Sequence, residues 1–150
     1  SLFEEVEKIN KLAASNFVKK VKEALGSVSG KTISVLGLAF KPDTDDMREA
    51  PSVKIIKALQ EKGAKIRAYD PVAVETASQV LNNVVYCKNP QETVKDTDCL
   101  LILTEWNEFK QLDLKKIKGL MKQPIMIDGR NLYDPLEVKK LGFIYKGVGR

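Results

Sequence analysis

Histidine is absent from the 150-residue chain. That removes every mechanism requiring an imidazole: Ser-His-Asp triads, Cys-His pairs and His-ligated zinc. Only two cysteines are present, Cys87 and Cys99. They form neither a disulfide framework nor a metal-ligand spacing, so a reducing cytoplasm is the expected compartment. Cys99 sits in the apolar run Asp98-Cys99-Leu100-Leu101-Ile102-Leu103 and reads as a small buried residue. No apolar stretch approaches the ~20 residues of a membrane span. The start, Ser1-Leu2-Phe3-Glu4-Glu5, lacks the layout of a signal peptide and an initiating Met, so the chain is expected to be cut from a longer protein.

What is present fits one compact domain. The residues are 43% hydrophobic and 30% charged, which excludes disordered and collagen-like classes. Lys and Arg number 25 against 20 Asp and Glu, a net charge of +5. Such a surplus suits an anionic partner, whether nucleic acid, nucleotide or phosphate, and a solvated Lys-rich surface explains it equally well.

Leu2, Val6, Ile9, Ala13, Phe17, Val21 and Leu25 recur every three or four residues, one face of a long helix over residues 2–25 that Gly26 and Gly30 stop. A helix of that length before a complete α/β pattern does not easily fold back onto one small sheet. Part of its stripe is expected to pack on a neighbouring chain or a missing domain. From Lys31 onward, β-rich runs alternate with helical patterns. The strand candidates are Thr32 to Leu36, Lys65 to Tyr69, Val84 to Tyr86, Cys99 to Leu103, Ile125 to Ile127 and Phe143 to Lys146. Helices are expected at Pro51 to Lys62, Val72 to Leu81, Pro90 to Val94, Leu114 to Met121 and Pro135 to Leu141. This alternation predicts an α/β fold, a doubly wound parallel sheet of Rossmann type with ligands beyond the carboxyl ends of the strands.

The loops after strands one, four and five therefore carry the candidate chemistry. Gly37-Leu38-Ala39-Phe40-Lys41-Pro42 follows strand one, and it holds only one glycine of the G-x-G-x-x-G pattern that cradles a pyrophosphate. It is a poor NAD cradle, and Lys41 offers a cation instead. Asp70, ending strand two, resembles a ribose-binding acid, yet Asp70-Pro71 is also an ordinary helix entry, and the structural role is favoured. The acidic segment Asp43 to Glu49 suits a helix N-terminus. Arg48 within it calls for an anion or carboxylate partner. Thr104-Glu105-Trp106-Asn107-Glu108-Phe109 follows strand four and Asp128-Gly129-Arg130-Asn131 follows strand five. Lys41, Thr104, Glu105 and Arg130 are thus expected to converge on one crevice, with two cations for a phosphate group.

These runs, from Val35 to Ser52 together with Tyr69-Asp70-Pro71, the Thr-Glu-Trp block and Asp-Gly-Arg-Asn, closely resemble the C-terminal part of the UDP-glucose 6-dehydrogenase family. The likeness covers nearly the whole chain and favours UDP-glucose over the related GDP-mannose and UDP-N-acetylmannosamine dehydrogenases, whose domains are the alternatives within the superfamily. It implies that residues 1–30 are the end of a central dimerisation helix with its linker and residues 31–150 a UDP-sugar-binding, Rossmann-like domain. It further implies UDP or UDP-glucose as ligand, NAD held mainly by a missing N-terminal domain, a cytoplasmic homodimer joined through the first helix, and no nucleic-acid or membrane partner. Position by position, Phe40, Lys41 and Arg130 match UDP-sugar contacts, and Arg48 matches the arginine that reaches NAD on the other domain. The family's Gly-rich NAD loop and catalytic-cysteine motif lie upstream of anything in this chain. No catalytic or metal-binding residue is therefore expected here, and the isolated domain is expected to be inactive. The contrasting reading is a non-catalytic binding or oligomerisation module.

Overall fold

A computed structural model describes residues 2–48 and 50–149, with side chains described from residue 13 onward. Six parallel strands are ordered β3-β2-β1-β4-β5-β6: β1 (Thr32–Leu36), β2 (Lys65–Tyr69), β3 (Val84–Tyr86), β4 (Cys99–Ile102), β5 (Ile125–Asp128) and β6 (Ile144–Gly147). The order reverses between β1 and β4, which is the point where a doubly wound sheet opens a crevice.

The central strands are buried on both faces, and their period-2 alternation divides the core in two. Ile33 and Val35 of β1, Cys99 and Leu101 of β4, and Ile125 and Ile127 of β5 face one layer. Leu36, Leu100, Ile102 and Met126 face the other. The first layer is covered by α1 (Leu2–Leu25), α2 (Pro51–Glu61) and α3 (Val74–Ser78), through side chains such as Phe17, Val21, Ile55, Leu59 and Ala77. The second is covered by α4 (Pro90–Val94), α5 (Asn107–Lys110), α6 (Leu114–Leu120) and α7 (Pro135–Lys140), through Val94, Phe109, Ile117 and Val138.

Local chemistry places the helix starts. Pro51, Pro90 and Pro135 stand at the first turns of α2, α4 and α7, where no amide hydrogen is needed. Asn89, Asp113 and Asp134 cap α4, α6 and α7 by accepting the N–H groups of Glu92, Lys116 and Leu136. The four-residue α5 lies inside a block read as loop, and the helix expected from Val72 to Leu81 is confined to Val74–Ser78.

The first helix corrects one expectation. Its C-terminal half does fold back onto its own sheet: Ala14, Phe17, Val18 and Val21 are all buried within the first core layer. Lys20 ties it down further by donating to the Gly147 carbonyl at 2.9 Å. The side chains of Leu2, Val6 and Ile9, the other part of the expected stripe, lie outside the described residues, as do Ser1, Glu49 and Arg150. Among the described residues no helix is long and apolar enough to cross a membrane.

If the α1 seat is part of the domain's own core, Phe17→Ala should lower unfolding stability by about 3–5 kcal/mol in denaturant titrations. A change below about 1 kcal/mol would mean that this half of α1 only rests on the sheet.

Candidate functional site at the carboxyl ends of the strands

A cavity of about 680 Å³ opens beside the switch point. Its walls come from Phe17, Lys19, Lys20 and Glu23 of α1, Phe40 after β1, Leu103 after β4, Gly129 and Arg130 after β5, and Val148 after β6. Three cations and one carboxylate among those side chains make the lining net positive. Phe40 is a large exposed apolar side chain, 38% accessible.

The loop bearing Phe40 is fixed from below. Asp70, only 3% exposed, accepts the N–H groups of Leu38 (2.8 Å) and Ala39 (3.3 Å) on one oxygen. Its other oxygen accepts those of Val72 and Ala73, both at 2.9 Å. The Ser52 hydroxyl donates to the Leu38 carbonyl, and the fully buried Thr104 hydroxyl donates to that of Ala39 at 2.7 Å. Both backbone amides of Leu38 and Ala39 are thereby taken up inside the protein. A dinucleotide-binding loop would turn those N–H groups toward a pyrophosphate. Gly37 (φ +96°) likewise serves packing: a Cβ there would stand 2.5 Å from the Thr104 hydroxyl oxygen. The β1 loop therefore does not fit NAD, and Asp70 braces structure rather than binding ribose.

The loop bearing Arg130 has a matching brace. Asp128, fully buried at the end of β5, accepts the Arg130 N–H at 3.0 Å, the Leu132 N–H at 2.7 Å, the Tyr133 N–H at 3.2 Å and the Tyr145 hydroxyl at 2.7 Å. Asn131, in the left-handed region at φ 51°, closes the turn through paired hydrogen bonds with the Val148 backbone.

The residues expected to converge do so only in part. Phe40 and Arg130 line the cavity together. Lys41 is exposed outside that lining, its ammonium 5.8 Å from the Phe40 ring centroid. Thr104 is a buried brace, and Glu105 is paired with Arg130 through the guanidinium Nε. Arg48 lies apart, 89% exposed, gripping Asp46 through Nε at 3.0 Å and Nη2 at 2.9 Å. Hydrogen bonds from the Arg48 side chain, and then from its backbone, hold the Asp46 carboxyl at about 2, so this turn stays charge-paired down to strongly acidic pH. Burial, followed by the charge of Asp98, pushes the Cys99 thiol far above its ordinary range, so it is an inert core residue.

Sequence reasoning missed Lys19 and Lys20. A lysine pair beside Phe17 was a readable signal, but on a helix it is indistinguishable from a solvated face until the packing is known.

Removing the β5 brace should be costly. Asp128→Ala removes the charged acceptor of three loop amides and of the Tyr145 hydroxyl, and hydrogen bonds to a charged group contribute about 1.5–3 kcal/mol each, so a loss of about 3 kcal/mol or more is expected in chemical denaturation. A loss under about 1 kcal/mol would show that solvent replaces the carboxylate.

Comparison with known proteins gives the site its context. The model of the UDP-glucose/GDP-mannose dehydrogenase family, UDP binding domain, matches residues 34–135. The UDP-glucose 6-dehydrogenase TuaD of Bacillus subtilis (strain 168) is 47% identical over 150 residues, covering 99% of this chain and 32% of that protein. Among solved structures, a UDP-glucose dehydrogenase from Pyrobaculum islandicum superposes with a TM-score of 0.79 at 33% identity, over 96% of this chain and 31% of that one. The NDP-N-acetyl-D-galactosaminuronic acid dehydrogenase of Methanosarcina mazei Go1 gives 0.82 at 29% identity, over 100% and 32%. The chain thus spans about a third of the length of the relatives it matches. With the braced loops of a parallel sheet and this match, the chain belongs to the UDP-glucose/GDP-mannose dehydrogenase family, as its C-terminal UDP-binding domain.

Proposed function

We propose that the cavity between α1 and the strand ends holds the nucleotide of a UDP-sugar, and that the chain serves a UDP-glucose 6-dehydrogenase. The observation that carries this reading is the shared lining of Phe40 and Arg130 at the switch point of a UDP-binding domain. A diphosphate suits a net-positive lining, and a guanidinium can meet its oxygens bidentately. Phe40 supplies an apolar wall. Lys41, beside that ring, is a further cation reached when the ligand or the loop extends past Phe40.

Such an enzyme oxidises the sugar's C6 alcohol with NAD. Because the β1 loop has spent its amides on Asp70, NAD belongs to a separate N-terminal domain, with Arg48 as the residue that reaches toward it from this side. Residues 31–150 then form the substrate domain and residues 1–30 the end of the connecting helix. On this reading the 150-residue chain transfers no hydride by itself.

Calorimetric titration with UDP, UDP-glucose, GDP-mannose and NAD tests the assignment. Binding is expected for the two uridine ligands and not for NAD. Charge-assisted hydrogen bonds contribute ~1.5–3 kcal/mol, so Arg130→Ala or Lys41→Ala should weaken UDP by roughly ten- to a hundredfold. Both are at the surface, so melting should hardly change, the exposed Arg130–Glu105 pair contributing at most about 1 kcal/mol. Unchanged UDP affinity in both variants would overturn the site.

The same reading makes the chain a homodimer joined through α1. Light scattering should then give twice the chain mass, falling to the monomer when residues 1–12 are removed. A monomer at high concentration with residues 1–12 in place would contradict the dimer.

A further inference from the structure

Arg130 does not stand alone at the cavity. Its Nε donates to Glu105 Oε2, and this is the guanidinium's one protein partner among the described residues. Among the described residues neither Nη group has a partner, so the end of the fork that suits two phosphate oxygens is open to them. Glu105 itself is not part of the cavity lining, whereas Arg130 is. The carboxylate therefore holds the guanidinium from outside that lining.

Both ends of this grip lie on or beside hydrogen-bonded backbone. Arg130 follows Gly129 and is pinned through its N–H to the buried Asp128. Glu105 lies between Thr104, whose buried hydroxyl holds the Ala39 carbonyl, and Trp106, whose own carbonyl receives the Phe109 and Lys110 amides at the start of α5. Two independently anchored loops thus meet in a single ion pair. The side chains remain 36% and 30% exposed, so the pair adds little to folding. Its geometry points to a role in binding.

We propose that Glu105 is a positioning residue: it fixes Arg130 by Nε so that both Nη groups are presented to the diphosphate of the nucleotide. An arginine has many rotamers, and one already ordered loses less freedom when the ligand arrives. This inference rests on the nucleotide reading of the cavity. It makes a prediction opposite in sign to simple charge repulsion, under which removing a carboxylate near an anion site should tighten binding.

The test is calorimetry with UDP on the wild-type chain, Glu105→Ala, Glu105→Gln, Arg130→Ala and the double variant Glu105→Ala/Arg130→Ala, with thermal melts of each. Glu105→Ala should weaken UDP by about tenfold at an unchanged melting temperature. Glu105→Gln keeps an acceptor for Nε and should lose less. In the Arg130→Ala background, Glu105→Ala should have no further effect, since the carboxylate acts only through the guanidinium. A wild-type chain that binds UDP while Glu105→Ala binds it equally well or more tightly overturns the positioning role alone. So does an equal loss in the Arg130→Ala background. A wild-type chain that fails to bind UDP overturns the nucleotide reading and this inference with it.

Discussion

Two buried carboxylates, Asp70 after β2 and Asp128 at the end of β5, organise the functional edge of the sheet. Asp70 collects four backbone N–H groups, and Asp128 three from the loop after β5 together with the Tyr145 hydroxyl of β6. Burying an unpaired polar group is unfavourable, and burying an unpaired charge far more so. Loop and carboxylate therefore stabilise each other: the anion needs its donors and the donors need the anion. The loops carrying Phe40 and Arg130 inherit their fixed course from this mutual requirement.

That arrangement decides how the sheet can recognise a ligand. In a dinucleotide-binding sheet the amides after β1 face outward, and glycines let a pyrophosphate approach them. Here the same amides turn inward to Asp70, and Gly37 accommodates Thr104. On the proposed reading, recognition passes from backbone to side chains, to Arg130 and the lysines of α1. The difference lies in what the aspartate ending β2 binds: here it accepts the loop amides that a pyrophosphate would otherwise meet.

The fold was legible because its signals are local. Five-residue β-rich runs, prolines at first turns and glycine stops placed β1, β2 and α2 within a residue of their observed bounds. Asp70 was also legible, since an Asp-Pro pair after a strand is an ordinary turn. The four-residue α5 was not, because so short a helix leaves no period to read. Nor was the work of Asp128, whose partners include Tyr145, 17 residues away and meaningful only once β6 lies beside β5. That Lys41 lies outside the lining that Phe40 and Arg130 share has a related reason. Strand order predicts which loops are neighbours, whereas the direction of a side chain depends on the loop's own hydrogen bonds. The pairing of Glu105 with Arg130 could not be read from either motif separately.

Helix α1 is the element whose part sequence reasoning most understated. A Cβ at Gly129 would stand 3.1 Å from the Phe17 ring and 3.0 Å from the Ile102 carbonyl, so the missing side chain lets α1 approach the sheet at the residue before Arg130. Phe17 is at once core, packed with Ile33 and Ile127 in one layer, and a wall of the cavity. Lys20 binds the end of β6 and lines the same space. The helix that closes the core is therefore also a helix that shapes the cavity, and a displacement of α1 would be felt at the cavity through the Phe17 contact, because close-packed interiors transmit shifts rather than absorb them.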